Sequence, residues 1–411
     1  MIARYRALFS VPGYSRLLVS AILGRLPSGM FSLAIVLFVH AHTGSFLTAG
    51  LAVGAFTLAG AVTGPALGAL VDRVGQTRVL APAAAAQAAV LVGLVLRAQA
   101  GAATSSIIAL SAVAGACQPP IAGCIRALWS VLATDEETLE TAYALDATTQ
   151  EVIWTLGPLL VGSAATALSP AAGVLLCAAI TLAGTIFFAS SRVSSRWQPS
   201  MPERPRASAL RSAGLRALLC TVVLAGVVIG AVEVGLPALA SEHGSRWSAG
   251  PLLALFSIGS MAGGLLYSAR SWRLAIAPRY SALLLAMAFA VAPLSAIHSL
   301  AAGYLLSMLA GLGLAPMLTA QFSLVGALAA QGTSTEAFTW HRAATIAGMA
   351  AGSALGGSLV AAHGAGAAFA VGCTGVASAC VLATFWRRHI DPLHMPHAPA
   401  LPLAQRDMAA S

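Results

Sequence analysis

The sequence predicts an all-α membrane protein of twelve transmembrane helices, arranged as two six-helix pseudo-repeats. Three observations predict it. Of 411 residues, 58% are hydrophobic and only 9% are charged, where soluble domains carry about 25% charged residues. That much apolar side chain cannot be hidden from water, so it belongs in lipid. The chain divides into twelve apolar runs, each near the ~20 residues that a bilayer-spanning helix needs. The two halves also repeat each other at an offset near 195 residues.

The first span (15–40) is apolar except for Arg25, near its middle in LGRLPSG. Pro27 and Gly29 break the helix just beyond and can free backbone groups to line a cavity. Nothing ahead of it reads as a secretory signal: RYRALFSVPGYSRLL is amphipathic, and the apolar run after it is too long for one and holds Arg25. The second span (46–70) ends in GPALGALVDRVGQTRVL. Gly64 and Gly68, four apart, bare one helix face for close packing. A short turn with both charge signs follows: Asp72, Arg73, Gly75 and Arg78. The third span is 79–98. The fourth (103–132) contains SAVAGACQPP and, near its end, Arg126. Asp135, Glu136 and Glu137 read as a solvated loop.

The fifth span (140–168) is the most polar. Glu140 and Asp146 open it and are expected to join Arg126 in a charge network. Glu151 follows, with Trp154 one turn on and then Gly157-Pro158, which predicts a tightly packed, dry setting, with Arg25 or Arg126 as the ion partner if Glu151 is structural. The sixth span is 170–190. The longest hydrophilic stretch, 191–216, carries six Arg and three Pro. The seventh span (214–240) holds Glu233 in GAVEVGLPALA, towards the end opposite the turn. The eighth to twelfth are 247–269, 279–297, 300–328, 336–362 and 364–386. The expected domains are thus a first bundle (1–190), a linker (191–213), a second bundle (214–386) and a tail (387–411).

The net charge of +9 does not point to nucleic acid, because most of the basic residues cluster in loops. All 22 basic residues are Arg, and 19 of them, Arg126, Arg279 and Arg342 included, are assigned to one side of the membrane when the N-terminus is inside. Positive charge marks the cytoplasmic side, so both termini are expected there, in the cytoplasmic (inner) membrane. Six Cys lie in apolar stretches without C-x-x-C spacing and read as small buried hydrophobes. No disulfide, metal or cofactor is expected. No G-x-x-x-x-G-K-[ST] motif appears, which argues against direct ATP use, and no clustered catalytic set argues for an enzyme.

The repeat is read from three pairs in order: GALVDRVGQTR (68–78) with GGLLYSARSWR (263–273), GACQPP (115–120) with GLGLAP (311–316), and AYALDATTQEVIWTLG (142–157) with AFTWHRAATIAGMAAG (337–352). Parallel six-helix repeats of this kind occur in transporters. Gly68, Asp72, Arg73, Gly75 and Arg78 match G-x-x-x-D-R-x-G-x-[RK], and here the chain resembles the major facilitator superfamily, in the loop between its second and third helices. Gln76 and Thr77 stand where that family often has basic residues. RALFSVPGYSRLL, GRLPSGM, QPPIAGCIRALW, YALDATTQEVIWTLGPLL and TEAFTWHRAA resemble a bacterial, actinobacterial-type branch of drug and metabolite exporters. The resemblance implies a conformational latch at Gly68, Asp72, Arg73, Gly75 and Arg78, with Arg126 beside it, the Asp meeting a helix end. It implies a monomeric secondary transporter of a small molecule, with protons as coupling ion. Two departures bear on coupling. No Arg precedes Gln118 in the fourth span, where proton-coupled exporters often carry one. Of the antiporter signature in the fifth, Gly157, Pro158 and Gly162 fit, but Ile153 and Val161 do not.

A charge at mid-bilayer costs at least ~2.5–3.5 kcal/mol, so Arg25, Glu151 with Trp154, and Glu233 are the expected substrate or proton-coupling residues. Export coupled to inward proton flow is the expected function. Uptake by symport and a non-transporting receptor or scaffold remain as alternatives.

Overall fold

A computed structural model describes residues 14–133, 135–197, 208–245, 248–270, 272, 274–297 and 299–392. The described residues form helices and turns without a strand. The long helices are α1 (Tyr14–Thr43), α2 (Phe46–Val74), α3 (Gln76–Gln99), α4 (Thr104–Leu132), α5 (Glu136–Ala167) and α6 (Pro170–Ala189) in the first half. In the second they are α7 (Ala213–Glu242), α8 (Ala249–Ser268), α9 (Ile276–Ala296), α10 (Leu300–Leu328), α11 (Ser334–His363) and α12 (Ala365–Phe385). Eleven of these are long and apolar enough to cross a membrane among the described residues. The exception is α5, whose inward face carries Glu140, Asp146, Gln150 and Glu151. The chain is a multi-pass membrane protein.

Several boundaries differ from the sequence reading, each for a local reason. Helix α1 is broken by a 3-10 turn, Leu26–Gly29, with Pro27 at its start. Helix α4 is interrupted between Ala116 and Ile121, at Pro119-Pro120. Helix α2 runs on to Val74, so Asp72 and Arg73 belong to its last turn; the turn itself is the single residue Gly75, at φ +101°, a value glycine adopts freely. Asp135, Glu136 and Glu137 are not a loop. The Asp135 carboxylate accepts the Thr138 amide at 2.7 Å and caps α5, and acidic residues suit that helix end. The linker contains a short helix, Arg192–Arg196; Arg204 and Arg206 lie outside the described residues. Cys124 and Cys177 are buried as expected, but Cys220 is exposed.

Within each half, helices meet where glycine removes the side chain. Gly29 of α1 and Gly157 of α5 touch backbone to backbone, as do Gly24 of α1 and Gly184 of α6. Gly230 of α7 faces the Met349 carbonyl of α11, and Gly259 of α8 faces that of Met308 in α10.

Between halves, α2 and α4 pack on α11, and α5 packs on α8 and α10. One apolar core joins both halves on the face carrying Gly75, here the turn face; Tyr143, Phe322 and Phe338 bring α5, α10 and α11 together there. A separate core (Phe31, Ile35, Phe38, Phe56, Leu91, Leu94, Ile107, Val174) lies inside the first half near the opposite, far face. The halves are therefore sealed at the turn face and part towards the far face.

Candidate functional site

Three layers of polar groups cross the seam, starting at the turn face. In the first, Asp72 is buried and its carboxylate accepts the backbone N–H of Thr335 at 3.1 Å and of Glu336 at 2.9 Å. These are the free amides of the first turn of α11, where a negative charge is favoured. Gly68, one turn earlier, leaves room for that turn, whose Thr335 carbonyl would stand 3.0 Å from an added Cβ. Glu336 takes the Ser208 hydroxyl at 2.6 Å. The departing residue Gln76 is buried rather than a surface cation: it accepts Ser194 Oγ at 2.8 Å and so ties the linker to α3. Arg73 and Arg78 are exposed.

The second half does not copy this device. Tyr267 stands where the repeat would place a partner of Asp72. Arg279 of α9 instead bonds Glu140 of α5 at 3.0 Å. Its guanidinium also lies 5.5 Å from the Tyr267 ring and 5.7 Å from that of Trp272. The pair borders a pocket of about 420 Å³ lined by Glu136, Glu137, Arg270 and Asp391 as well.

The second layer is deeper. Arg25, freed from helical regularity by the Pro27 break, and Arg126 each hold one oxygen of Asp146, and Arg126 does so at 2.8 Å. All three are at most 5% exposed. Arg25 also donates to Gln150 Oε1 at 2.6 Å. The Arg126 guanidinium stacks 3.8 Å above the Phe322 ring of the other half. Phe322 in turn meets the edge of His341, which bonds Gln321 at 2.9 Å; Gln321 reaches Tyr280 and Tyr280 reaches Thr221. Arg342 donates to Gln118 Oε1 at 3.1 Å across the seam.

The third layer is the carboxylate pair. Glu151 accepts Ser260 Oγ of α8 at 3.0 Å, and Glu233 lies within electrostatic reach of it. Trp154 and Thr155, three and four residues on and so on the same helix face, are exposed, Trp154 by 46%.

The structure thus places Glu233 within electrostatic reach of Glu151, and gives Arg25 other partners, Asp146 and Gln150. Three expectations need correction. Glu151 does not pair with Arg25 or Arg126, because Asp146, five residues earlier, occupies both. Trp154 is not tightly packed; Gly157 and Ile153 take the packed face against α1, which turns Trp154 away from it. Arg126 is part of the buried triad and not of the Gly68–Arg78 turn, since its side chain leaves α4 towards α5. Arg279 and Arg342, counted with Arg126 on the cytoplasmic side, lie inside α9 and α11. The sequence reading missed Gln118, Gln150, Ser260, His341 and Arg342 as seam residues. Arg342 had a signal, for it falls inside the eleventh apolar run.

The family model of the Major Facilitator Superfamily matches residues 17–300. An uncharacterised MFS-type transporter of Sinorhizobium fredii, y4rN, is 32% identical over 177 residues, and the match covers 43% of this chain and 43% of that relative. A bacterial homologue of the iron transporter ferroportin, solved in an outward-facing state, superposes with TM-score 0.73 at 18% identity, covering 91% of this chain and 98% of its own. The human organic anion transporter MFSD10 (TETRAN) gives 0.71 at 17%, with 90% and 99% covered. The E. coli fucose:proton symporter FucP gives 0.70 at 16%, with 92% and 99% covered. At such identities the structures speak for the fold.

Proposed function

The chain belongs to the major facilitator superfamily, and we propose on that premise that it moves a small organic solute across the cytoplasmic membrane by alternating access, coupled to protons, in the direction of export. The observation that carries this reading is the Glu151–Ser260 bond. It ties the halves at mid-depth, below the region where they part, through a group that can gain or lose a proton. A proton on Glu151 changes that bond, and with it the balance between two arrangements of the halves. Glu233 adds a second carboxylate nearby, and the two cannot both stay charged without mutual repulsion. Arg25 contributes by holding Asp146. Uptake by symport is the second reading. Glu151 bonds Ser260 while Arg25 and Arg126 pair with Asp146, and such separate partners leave proton and solute free to be bound at once.

The reading is tested in a strain stripped of its own pumps. Expression of the chain should lower the accumulation of at least one solute in a broad panel, and a protonophore should erase the difference. Raised accumulation would replace export by uptake, and no change for any solute would end the transport reading.

Asp72 is the proposed latch that keeps the turn face closed. In Asp72→Asn an amide group faces one of the two helix amides, leaving a buried donor unpaired at a cost of about 1–3 kcal/mol. The variant should reach the membrane at normal yield, yet its flux after reconstitution should drop at least ~5-fold, as 1 kcal/mol implies. Wild-type flux in Asp72→Asn contradicts the latch.

Orientation rests on the arginine bias. Reporter fusions after residues 200 and 400 should read cytoplasm, and one near 244 should read exterior. Agreement between the fusions at 200 and 244 would refute the placement of α7.

A further inference from the structure

We propose that the solute is an organic anion, and that its acidic group docks on Arg342 in the layer shared with Arg25 and Arg126. The proposal rests on the transport reading above and adds the substrate class.

The arginine layer contains three guanidiniums and one carboxylate. Arg25 and Arg126 use both oxygens of Asp146. Among the described residues Arg342 meets the neutral carbonyl of Gln118 and no carboxylate. The layer therefore holds two more positive than negative charges. Its cations also repel one another: Arg342 feels both Arg25 and Arg126, and Arg126 feels Arg25. Among the described residues neither carboxylate of the third layer forms an ion pair with these arginines, whose acidic partner is Asp146. Unpaired charge inside a membrane protein is costly and is kept where it meets a ligand, an ion path or a partner.

Geometry selects the docking point. Arg126 is covered by Phe322, and Arg25 is held by Asp146 and Gln150, although its Nε is buried without a partner. Arg342 is half-buried and faces a cavity of about 20 Å³ lined by Gly60, Gly64, Gln118, Phe338, Thr339 and Ile346. That volume admits about one water, or one oxygen of an acidic group whose remainder stays outside. The two glycines leave the methyl of Ala61 as the α2 side chain on this wall. Gln118 fixes the guanidinium, whose planar fork pairs with carboxylate or phosphate through two parallel bonds. A cation brought here would meet three arginines.

The test uses the full-length protein in nanodiscs and ligands built on one ring: benzoate, benzenesulfonate and phenyl phosphate as anions, benzylammonium as cation, phenylalanine as zwitterion and benzyl alcohol as neutral control. Thermal unfolding is followed against ligand concentration. At least one anion should raise the midpoint, and Arg342→Gln should weaken its apparent affinity at least tenfold, with Arg342→Lys between the two. Should Arg342→Gln not fold, Gln118→Leu, which releases the guanidinium, should weaken anion affinity several-fold. The proposal is overturned if stabilisation comes only from the cation, zwitterion or neutral ligand, if no ligand stabilises, or if these variants bind the anion unchanged. Counterflow of the stabilising ligand in proteoliposomes separates the two readings. Anion binding without flux removes the transport reading alone, and flux of the cation removes this one alone.

Discussion

Glu151→Gln protein in sealed vesicles is expected to gain nothing from an imposed pH gradient while still exchanging labelled for unlabelled solute. A gradient of ~2 units supplies about 2.7 kcal/mol per proton, enough for roughly a hundredfold concentration ratio. Wild-type vesicles should approach such a ratio when one proton is coupled, and the variant should stay near one. The reason lies in the bond to Ser260 at 3.0 Å. Glutamine keeps an oxygen for the Ser260 hydroxyl and keeps the shape of the side chain, so the seam should still close and the bundle should still fold. It cannot take up or release a proton. A Glu151 of purely structural role would show lower yield or a lower unfolding midpoint with an unchanged response to the gradient. That unchanged response would remove Glu151 from the mechanism.

Asp146→Ala should have the largest effect on folding. It removes the one carboxylate between Arg25 and Arg126, which are each 5% exposed. Removing one partner of a buried charge group costs about 3–5 kcal/mol, a large share of a stability that is typically 5–15 kcal/mol. The variant should be nearly lost from the monodisperse peak of a detergent extract. The fault would be two stranded cations and not a cavity, so Arg25→Met, Arg126→Met and Asp146→Leu together should restore most of the folded yield, since apolar replacement of a buried ion group is often neutral or better. Normal yield and unfolding midpoint in Asp146→Ala would show that the triad is not what holds α1, α4 and α5 together.

The architecture was legible because membrane helices announce themselves by composition and length. The twelve expected runs correspond to α1–α12, and even the poor apolarity of α5 was visible in its charges. Helix ends were less legible, because caps decide them. Asp135 pulled α5 four residues earlier than expected, and Gly75 alone separates α2 from α3. Within the candidate site, Glu151 and Glu233 stood out because an acid in an apolar run has few explanations. What could not be read was pairing. Arg25 and Asp146 are 121 residues apart, and nothing in either local sequence names the other. The depth of Glu151 was readable but its bond to Ser260, 109 residues on, was not. Trp154 failed for a related reason: its turn has both a packed and an open side, and the sequence does not say which helix takes which.

The glycine contacts divide the molecule into stiff and compliant parts. Inside a half, backbones touch at Gly29–Gly157, Gly24–Gly184 and Gly230–Met349, and such contacts have no side chains to rearrange, which makes each half stiff. Between halves, beyond the shared apolar core, the polar ties at Glu151–Ser260 and Arg342–Gln118 are single side-chain bonds that can be exchanged one at a time. The first turn of α11 is different. Gly68 of α2 and Gly123 of α4 both bring their backbones close to the Thr335 carbonyl, at 3.0 and 3.2 Å from where a Cβ would stand. That turn is therefore seated against two bare helix backbones beside the Asp72 catch, and a larger residue at Gly68 or Gly123 would wedge it away from α2 and α4.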